Sequence, residues 1–267
     1  MRVAAGQISS GADKAENLRV ISDVVRGAKA LGAEMVAFPE HAMFKQAVRD
    51  DAFREAAEDL DGAFATAIRE LARTTEMALV VGMAERIPES ALCYNTVFVT
   101  GPDGTDLLVY RKIHMMDSFG GDESSWIQPG DVEQGLVFDF GDIRFGLMTC
   151  YDLRFPELTR SMVDAGAEAI LVPASWTPGP RKEDHWRTLV RARAIENTAF
   201  VIGPGQAPPI GTGGSLIVDP MGVVVAELGE QVGHVAADVA GDRVASVRRR
   251  NPSIQHRRLK VVPGRPG

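Results

Sequence analysis

Cys150 carries the most chemical promise in the chain. It follows the apolar run Ile143–Met148 and precedes Tyr151-Asp152-Leu153-Arg154-Phe155-Pro156-Glu157, in which Pro156 suits the first turn of a helix. A thiol at a strand-to-helix junction projects from the sheet edge, where unpaired helix N–H groups favour a thiolate or an oxyanion. A free thiol has a pKa near ~8.5, so without assistance only a small fraction is nucleophilic at neutral pH. The polar, turn-forming residues after Cys150 set it apart from a buried core cysteine, whereas Cys93 lacks that context and reads as packing.

Glu40 occupies a comparable place, since the apolar run Met35–Phe38 leads into Pro39-Glu40-His41. That puts a carboxylate just past a strand's C-terminal end, the edge at which open α/β sheets bind ligands. Lys112 falls in the expected strand Leu107–Ile113, where Leu108, Tyr110, Lys112 and His114 share one face. The opposite face reads Val109, Arg111 and Ile113, so alternation alone does not say which side is buried. The loop Asp117–Ser124 adds a second carboxylate, Glu123, as a lid residue or an exposed one. No HExxH, GxSxG or GxGxxG pattern is present, and Gly211-Thr212-Gly213-Gly214-Ser215 lacks the lysine of a phosphate loop. The five histidines are scattered without ligand spacing, so a metal site is not expected.

The elements that must position these residues follow a strand–helix rhythm. Arg2–Gln7 reads as a buried strand, and Leu18, Ile21, Val24, Val25, Ala28 and Leu31 form one face of a helix over Lys14–Leu31, stopped by Gly32. After Met35–Phe38 comes a helical face at Phe64, Ala67, Ile68 and Leu71, then a strand at Ala78–Met83. The middle turns to hairpins: Thr96–Thr100 with Leu107–Ile113, and Leu136–Phe140 with Ile143–Met148. The rhythm resumes with Phe155–Ala165, Ala169–Val172 and a helix over Asp184–Asn197. Phe200–Gly203, a hairpin of Leu216–Val218 with Val223–Leu228, and a strand near Val235–Val239 follow. Uninterrupted apolar strands mean a sheet covered on both faces or packed on another layer. With no linker and no internal repeat, one mixed α/β domain over 1–267 is expected, its last ~20 residues forming a C-terminal tail.

Composition removes other classes. Apolar residues make up 45% and charged residues 24%, an ordinary globular balance, and the net charge is −7. Apart from Arg248-Arg249-Arg250 with Arg257-Arg258, read as a solvated tail or a helix cap, no basic cluster is present, which argues against nucleic acid. Two cysteines make neither a disulfide framework nor a four-thiolate zinc site. No apolar run reaches the ~20 residues that span a bilayer, and the N-terminus does not read as a signal peptide. A soluble, reduced, cytoplasmic protein that binds no membrane is the expectation.

The order of the motifs makes a resemblance. Phe38-Pro39-Glu40, Tyr110-Arg111-Lys112-Ile113-His114 and Cys150–Glu157 resemble the Glu–Lys–Cys signature of the nitrilase superfamily of carbon–nitrogen hydrolases. Gly6-Gln7, Pro173-Ala174-Ser175-Trp176, Ala192–Asn197, Gly214-Ser215 and Asp219-Pro220-Met221-Gly222 extend the likeness over almost the whole chain. The Cys-Tyr-Asp-Leu-Arg-Phe-Pro-Glu block and the short length resemble the ω-amidase and deaminated-glutathione amidase branch; Gly120-Gly121 departs from the commoner loop there.

The resemblance implies a four-layer αββα sandwich paired as a homodimer or larger homo-oligomer, and no cofactor. It implies Glu40 as general base, Cys150 as the nucleophile that forms a thioester with loss of ammonia, and Lys112 as holder of the oxyanion, with the Tyr151 backbone N–H as a second donor. Glu123 would orient Lys112 or position the substrate amide. Trp176 is read as pocket wall or core packing, and Arg154 as an anchor to Asp152 or Glu157 or as a ligand for a substrate carboxylate. The implied activity is hydrolysis of a small linear amide, such as 2-oxoglutaramate or a deaminated-glutathione-like compound. Nitrile or N-carbamoyl amide hydrolysis is the alternative within the class, and a catalytically silent scaffold the alternative outside it.

Overall fold

The computed structural model describes residues 1–46 and 51–262. Its first half holds strands β1 (Arg2–Gln7), β2 (Met35–Ala37), β3 (Ala78–Arg86), β4 (Cys93–Thr100) and β5 (Asp106–Arg111), with helices α1 (Lys14–Ala30), α2 (Asp51–Ala56) and α3 (Ala63–Thr75). The second half holds β6 (Val137–Phe140), β7 (Ile143–Leu147), β8 (Ala169–Leu171), β9 (Phe200–Gly203), β10 (Leu216–Val218), β11 (Val224–Glu227) and β12 (Gly233–Asp238). Its helices are α4 (Pro156–Asp164), α5 (Lys182–Asn197) and α6 (Gly241–Arg250).

Local chemistry explains the boundaries. Asp13 caps α1 by accepting from the Ala15 and Glu16 amides at 2.9 and 3.1 Å, and Gly32 (φ +76°) ends the turn beyond it. Pro156 opens α4, where its missing N–H costs nothing. The expected elements appear with shifts of a few residues at their ends. The helix α2 was not foreseen, because six residues are too few to show a period. Of the expected C-terminal tail, 251–262 carry no helix or strand, and 263–267 lie outside the described residues.

Two six-stranded sheets form, ordered β12-β1-β2-β3-β4-β5 and β11-β10-β9-β8-β7-β6. Each has a parallel core, β1-β2-β3 and β7-β8-β9, extended by antiparallel strands. Alternation along β3 shows why the strands read as continuous apolar runs: Leu79, Val81 and Met83 pack under α1 and α3, while Ala78 and Val80 face the second sheet. Met148, Ile170 and Val172 similarly meet Met162, Trp186 and Val190 of α4 and α5. The layers are therefore helix, sheet, sheet, helix, the expected αββα sandwich.

Polar ties lock the halves together. Gln7 accepts from the Ser215 amide and hydroxyl at 2.9 and 2.8 Å, so the Gly6-Gln7 and Gly214-Ser215 blocks meet across the molecule. The fully buried Asp152 accepts from the Tyr110 hydroxyl at 2.6 Å, the Thr149 amide at 2.9 Å and the His114 amide at 3.1 Å. One carboxylate thus joins the end of β5 to the turn after β7.

Gly82 sets the position of the segment after β2. A Cβ there would lie 2.9 Å from the His41 nitrogen and the Pro39 oxygen and 3.1 Å from Glu40 Cα, all backbone atoms. Gly82→Ala is therefore expected to cost about 1–3 kcal/mol of stability. Gly135→Ala, whose Cβ would meet only a Leu108 methyl at 3.5 Å, is the control. Urea denaturation tests this; equal midpoints for the two variants would show that the segment is not held by close contact.

Candidate active site

The ends of β2, β5, β7 and β8 lie on one edge of the paired sheets, because β5 runs parallel to β2 through two antiparallel steps. Pro39 stops β2 and delivers Glu40. The strand β5 ends at Arg111, one residue before Lys112 and two short of the expected end, although the Lys112 amide still donates to the Asn95 carbonyl at 2.9 Å. Cys150 begins a 3-10 turn over Cys150–Arg154 and takes a left-handed backbone with φ +49°. That conformation costs a non-glycine residue about 1–3 kcal/mol. The strain is offset by the Cys150 amide donating to the Pro173 carbonyl at 2.9 Å and by Arg193 donating twice to the Leu153 carbonyl, at 3.0 and 2.7 Å. Helix α5 thereby braces the cysteine turn.

Glu40, Lys112, Glu123 and Cys150 meet although they are far apart in the chain, and each is at most 4% exposed. The Lys112 ammonium donates to Glu40 Oε1 at 3.0 Å and to Glu123 Oε1 and Oε2 at 2.8 and 2.7 Å. Asn95 Nδ2 donates to Glu40 Oε1 at 2.7 Å and to Glu123 Oε1 at 3.2 Å. The Ser175 amide donates to Glu40 Oε2 at 2.8 Å, and the Met116 amide to Glu123 Oε2 at 2.7 Å. Each carboxylate oxygen therefore has a donor. Glu123, read from sequence as either a lid residue or an exposed one, is buried.

Charge state follows from these contacts. Burial alone would raise the Glu40 carboxyl, but the Lys112 ammonium and His41 outweigh it and hold the group well below the usual carboxylate range. Burial likewise opposes the Lys112 charge, yet Glu40 and Glu123 keep it ionised far into alkali. The Cys150 thiol is pushed well above its ordinary value, first by burial and next by the Glu40 charge, with Lys112 opposing. The resting site is thus carboxylate, ammonium and protonated thiol. This corrects the expectation of a thiolate favoured by helix N–H groups, because burial of the sulfur, and after it the neighbouring Glu40 carboxylate, favours the neutral thiol. Burial also raises Cys93, to about 12, in keeping with its reading as a packing residue.

A cavity at the sulfur offers about 20 Å³ to the centre of a water molecule, and its wall includes Glu40, Lys112, Glu123, Cys150, Trp126 and Ser175. Tyr151 and Trp176, expected to bind substrate, stand outside that wall. The Tyr151 hydroxyl accepts from Ser118 Oγ at 3.2 Å, and Trp176 is buried beside Trp186 with its Nε1 donating to the Lys182 carbonyl at 2.7 Å. Arg154 pairs with neither Asp152 nor Glu157 among the described residues, since Asp152 is taken up by Tyr110, Thr149 and His114. Donor atoms of Glu40, His41 and Glu123 come within 4.8 Å of one another, a spacing compatible with a cation. The Lys112 ammonium already bonds both of those carboxylates.

Asn95 and Trp126 were not singled out in the sequence. A strand taken to begin at Thr96 leaves Asn95 outside it, whereas the observed strand starts at Cys93 and makes Asn95 a buried amide in an apolar run, the signal that would have exposed it. Trp126 packs edge-on against Phe53 of the unforeseen α2, with ring centroids 4.6 Å apart.

The carbon–nitrogen hydrolase family profile matches residues 2–249. Among curated proteins, Hydrolase Rv0480c of Mycobacterium tuberculosis is 36% identical over 266 residues, covering 94% of this chain and 93% of the relative. A deaminated glutathione amidase of Synechocystis is 34% identical, covering 95% and 97%, and the human omega-amidase NIT2 is 32% identical, covering 96% and 95%. The structure of Saccharomyces cerevisiae Nit3, a member of branch 10 of the nitrilase superfamily, superposes with a TM-score of 0.86 at 28% identity over 97% of both chains. An amidase from Nesterenkonia sp. AN1, seen with acrylamide added to its active-site cysteine in a glutamate-to-glutamine mutant, gives 0.80 at 26% identity, covering 94% of this chain and 99% of that one. The chain is an amidase-type enzyme that belongs to the carbon–nitrogen hydrolase family of the nitrilase superfamily.

Proposed function

We propose that the protein hydrolyses a small linear carboxylic amide to acid and ammonia through a Cys150 thioester, the amide being a 2-oxoglutaramate-like or deaminated-glutathione-like compound. The observation that carries this reading is the burial of the Glu40 carboxylate against both the Lys112 ammonium and the Cys150 thiol. The similarity to a deaminated glutathione amidase and an omega-amidase supports the substrate class.

The residues supply each proton transfer. As Cys150 Sγ bonds to the amide carbon, its proton passes to Glu40, and the carbonyl π electrons move onto oxygen. The Lys112 ammonium meets that oxyanion. Glu123 occupies two of the three Lys112 donors, so one is released while both carboxylates stay bound. The Tyr151 amide, in the first turn of the 3-10 segment, is the second donor. One preorganised donor is worth about 3–4 kcal/mol in the transition state. Collapse breaks the C–N bond, and Glu40 returns its proton to the departing nitrogen, so ammonia leaves. Glu40 then takes a proton from water as the water oxygen attacks the thioester carbon; the C–S bond breaks and the sulfur recovers the proton.

Cys150→Ala is expected to fold and release no ammonia, while wild-type protein quenched during turnover gains the mass of an acyl group. Ammonia release at the wild-type rate by the variant would end the assignment. Glu40→Gln removes the charge that keeps the thiol protonated, so alkylation by iodoacetamide is expected to speed up while hydrolysis falls by roughly 10²–10⁴-fold. Parallel loss of both would refute the sign. Glu40 is depressed below its ordinary 4.5 and the Cys150 thiol raised above its ordinary 9.0, so the reactive pair of carboxylate and thiol persists throughout that window. With a substrate that does not titrate there, kcat/KM is expected to be level from pH 4.5 to 9.0. A limb near neutrality would mean that a different ionisation drives the reaction.

A further inference from the structure

The two oxygens of the Glu40 carboxylate are not equivalent. Oε1 accepts from the Lys112 ammonium at 3.0 Å and from Asn95 Nδ2 at 2.7 Å, which fills its lone pairs. Oε2 accepts from the Ser175 amide at 2.8 Å and keeps one lone pair. The Cys150 thiol hydrogen-bonds the same carboxylate, so Oε2 is the atom with room to take its proton. Ser175 stands in the cavity wall, is 5% exposed, and its hydroxyl is buried without a hydrogen-bond partner. Its contact with Glu40 is made by the backbone, so an alanine would serve that contact equally well and bury no unsatisfied oxygen. A primary amide entering the cavity brings two N–H donors to a site whose other carboxylate is fully engaged. Glu123 Oε1 is taken by Lys112 and Asn95, and Oε2 by Lys112 and the Met116 amide. The Ser175 hydroxyl is an acceptor still open there.

We propose that Ser175 is a catalytic residue whose hydroxyl accepts an N–H of the scissile amide, and that it thereby selects a primary amide over the ester of the same acid. The inference rests on Cys150 being the acyl acceptor. As Sγ bonds to the carbonyl carbon and the π pair moves onto oxygen, the thiol proton passes to Glu40 Oε2. The nitrogen loses its conjugation at that moment, and its lone pair becomes basic. An N–H held by Ser175 Oγ fixes rotation about the C–N bond and turns the lone pair towards the proton on Oε2, which lies beside the Ser175 backbone. The C–N bond then breaks with its electron pair on nitrogen. Ammonia departs with its own two hydrogens and the proton from Oε2, and Glu40 is a carboxylate again. An alkoxy group has no N–H to offer, so the hydroxyl gives an ester no such alignment.

The test compares succinamate with monomethyl succinate, following ammonia and methanol release by wild type and by Ser175→Ala. The variant keeps the backbone amide on Oε2, so Glu40 stays in place. Ser175→Ala is expected to lower the ratio of amide to ester kcat/KM by roughly tenfold, the effect of leaving one buried N–H without its acceptor. An unchanged ratio, equal loss on both substrates included, would overturn the inference and leave the amidase reading standing. Calorimetric titration separates the two readings without turnover. Cys150→Ala protein is expected to bind succinamate, and the Cys150→Ala, Ser175→Ala double variant to bind it roughly tenfold more weakly with no matching change for monomethyl succinate. That difference supports the hydroxyl contact even if no amide is hydrolysed. Equal affinity of the two proteins for succinamate, or binding to neither, counts against it.

Discussion

The Lys112 ammonium, held between two buried carboxylates, is the interaction around which the rest of the molecule is arranged. An isolated charge so deep would be neutralised, and breaking a buried pair by removing one partner typically costs about 3–5 kcal/mol. Here Glu40 and Glu123 share the lysine, and Asn95, the Ser175 amide and the Met116 amide satisfy the remaining oxygens. Such a cluster is tolerable only when every partner arrives in place, so it demands a rigid frame. That frame is the common edge at which β2, β5, β7 and β8 end.

The cysteine turn is the second constraint, and it conflicts with local preference. Cys150 sits at a positive φ that its own side chain disfavours. The turn is held from three sides: the Pro173 carbonyl after β8, Arg193 of α5 acting on Leu153, and Asp152 reaching across to Tyr110 and His114. The last of these matters most for geometry, because Tyr110 and His114 flank Lys112 in sequence. One carboxylate therefore sets the distance between nucleophile and ammonium while remaining outside the reacting group.

Electrostatics then selects the resting state. The thiol is buried and lies beside the Glu40 and Glu123 carboxylates, which outweigh the Lys112 ammonium, so it keeps its proton, and Glu40 is left ionised to receive it. A site of this kind stores its base rather than its nucleophile. The neighbouring pair of Arg154 and Lys182 has a different balance: two cations over shared aromatic rings, with no ion pair among the described residues.

Much of this was legible in the residues. The apolar periods gave the parallel strands and the helices that cover them; Glu40 and Cys150 stood out because each lies just past a predicted strand, whereas Lys112 was picked out by the resemblance of the motif order. The alternation of β5 could not say which face is inside, and the helix α2 was too short to show a period. The protonation of the sulfur, the burial of Glu123 and the role of Asn95 were beyond local reading. Asn95 is 55 residues from Glu40 and 28 from Glu123 along the chain, and only closure of the sheet brings them together. Residue type and spacing alone determined which elements form and which side chains can do chemistry. Tertiary structure decided which charges share a buried volume, since Coulomb energy and desolvation depend on separation in space and on the surrounding medium, and neither is written in the order of the chain.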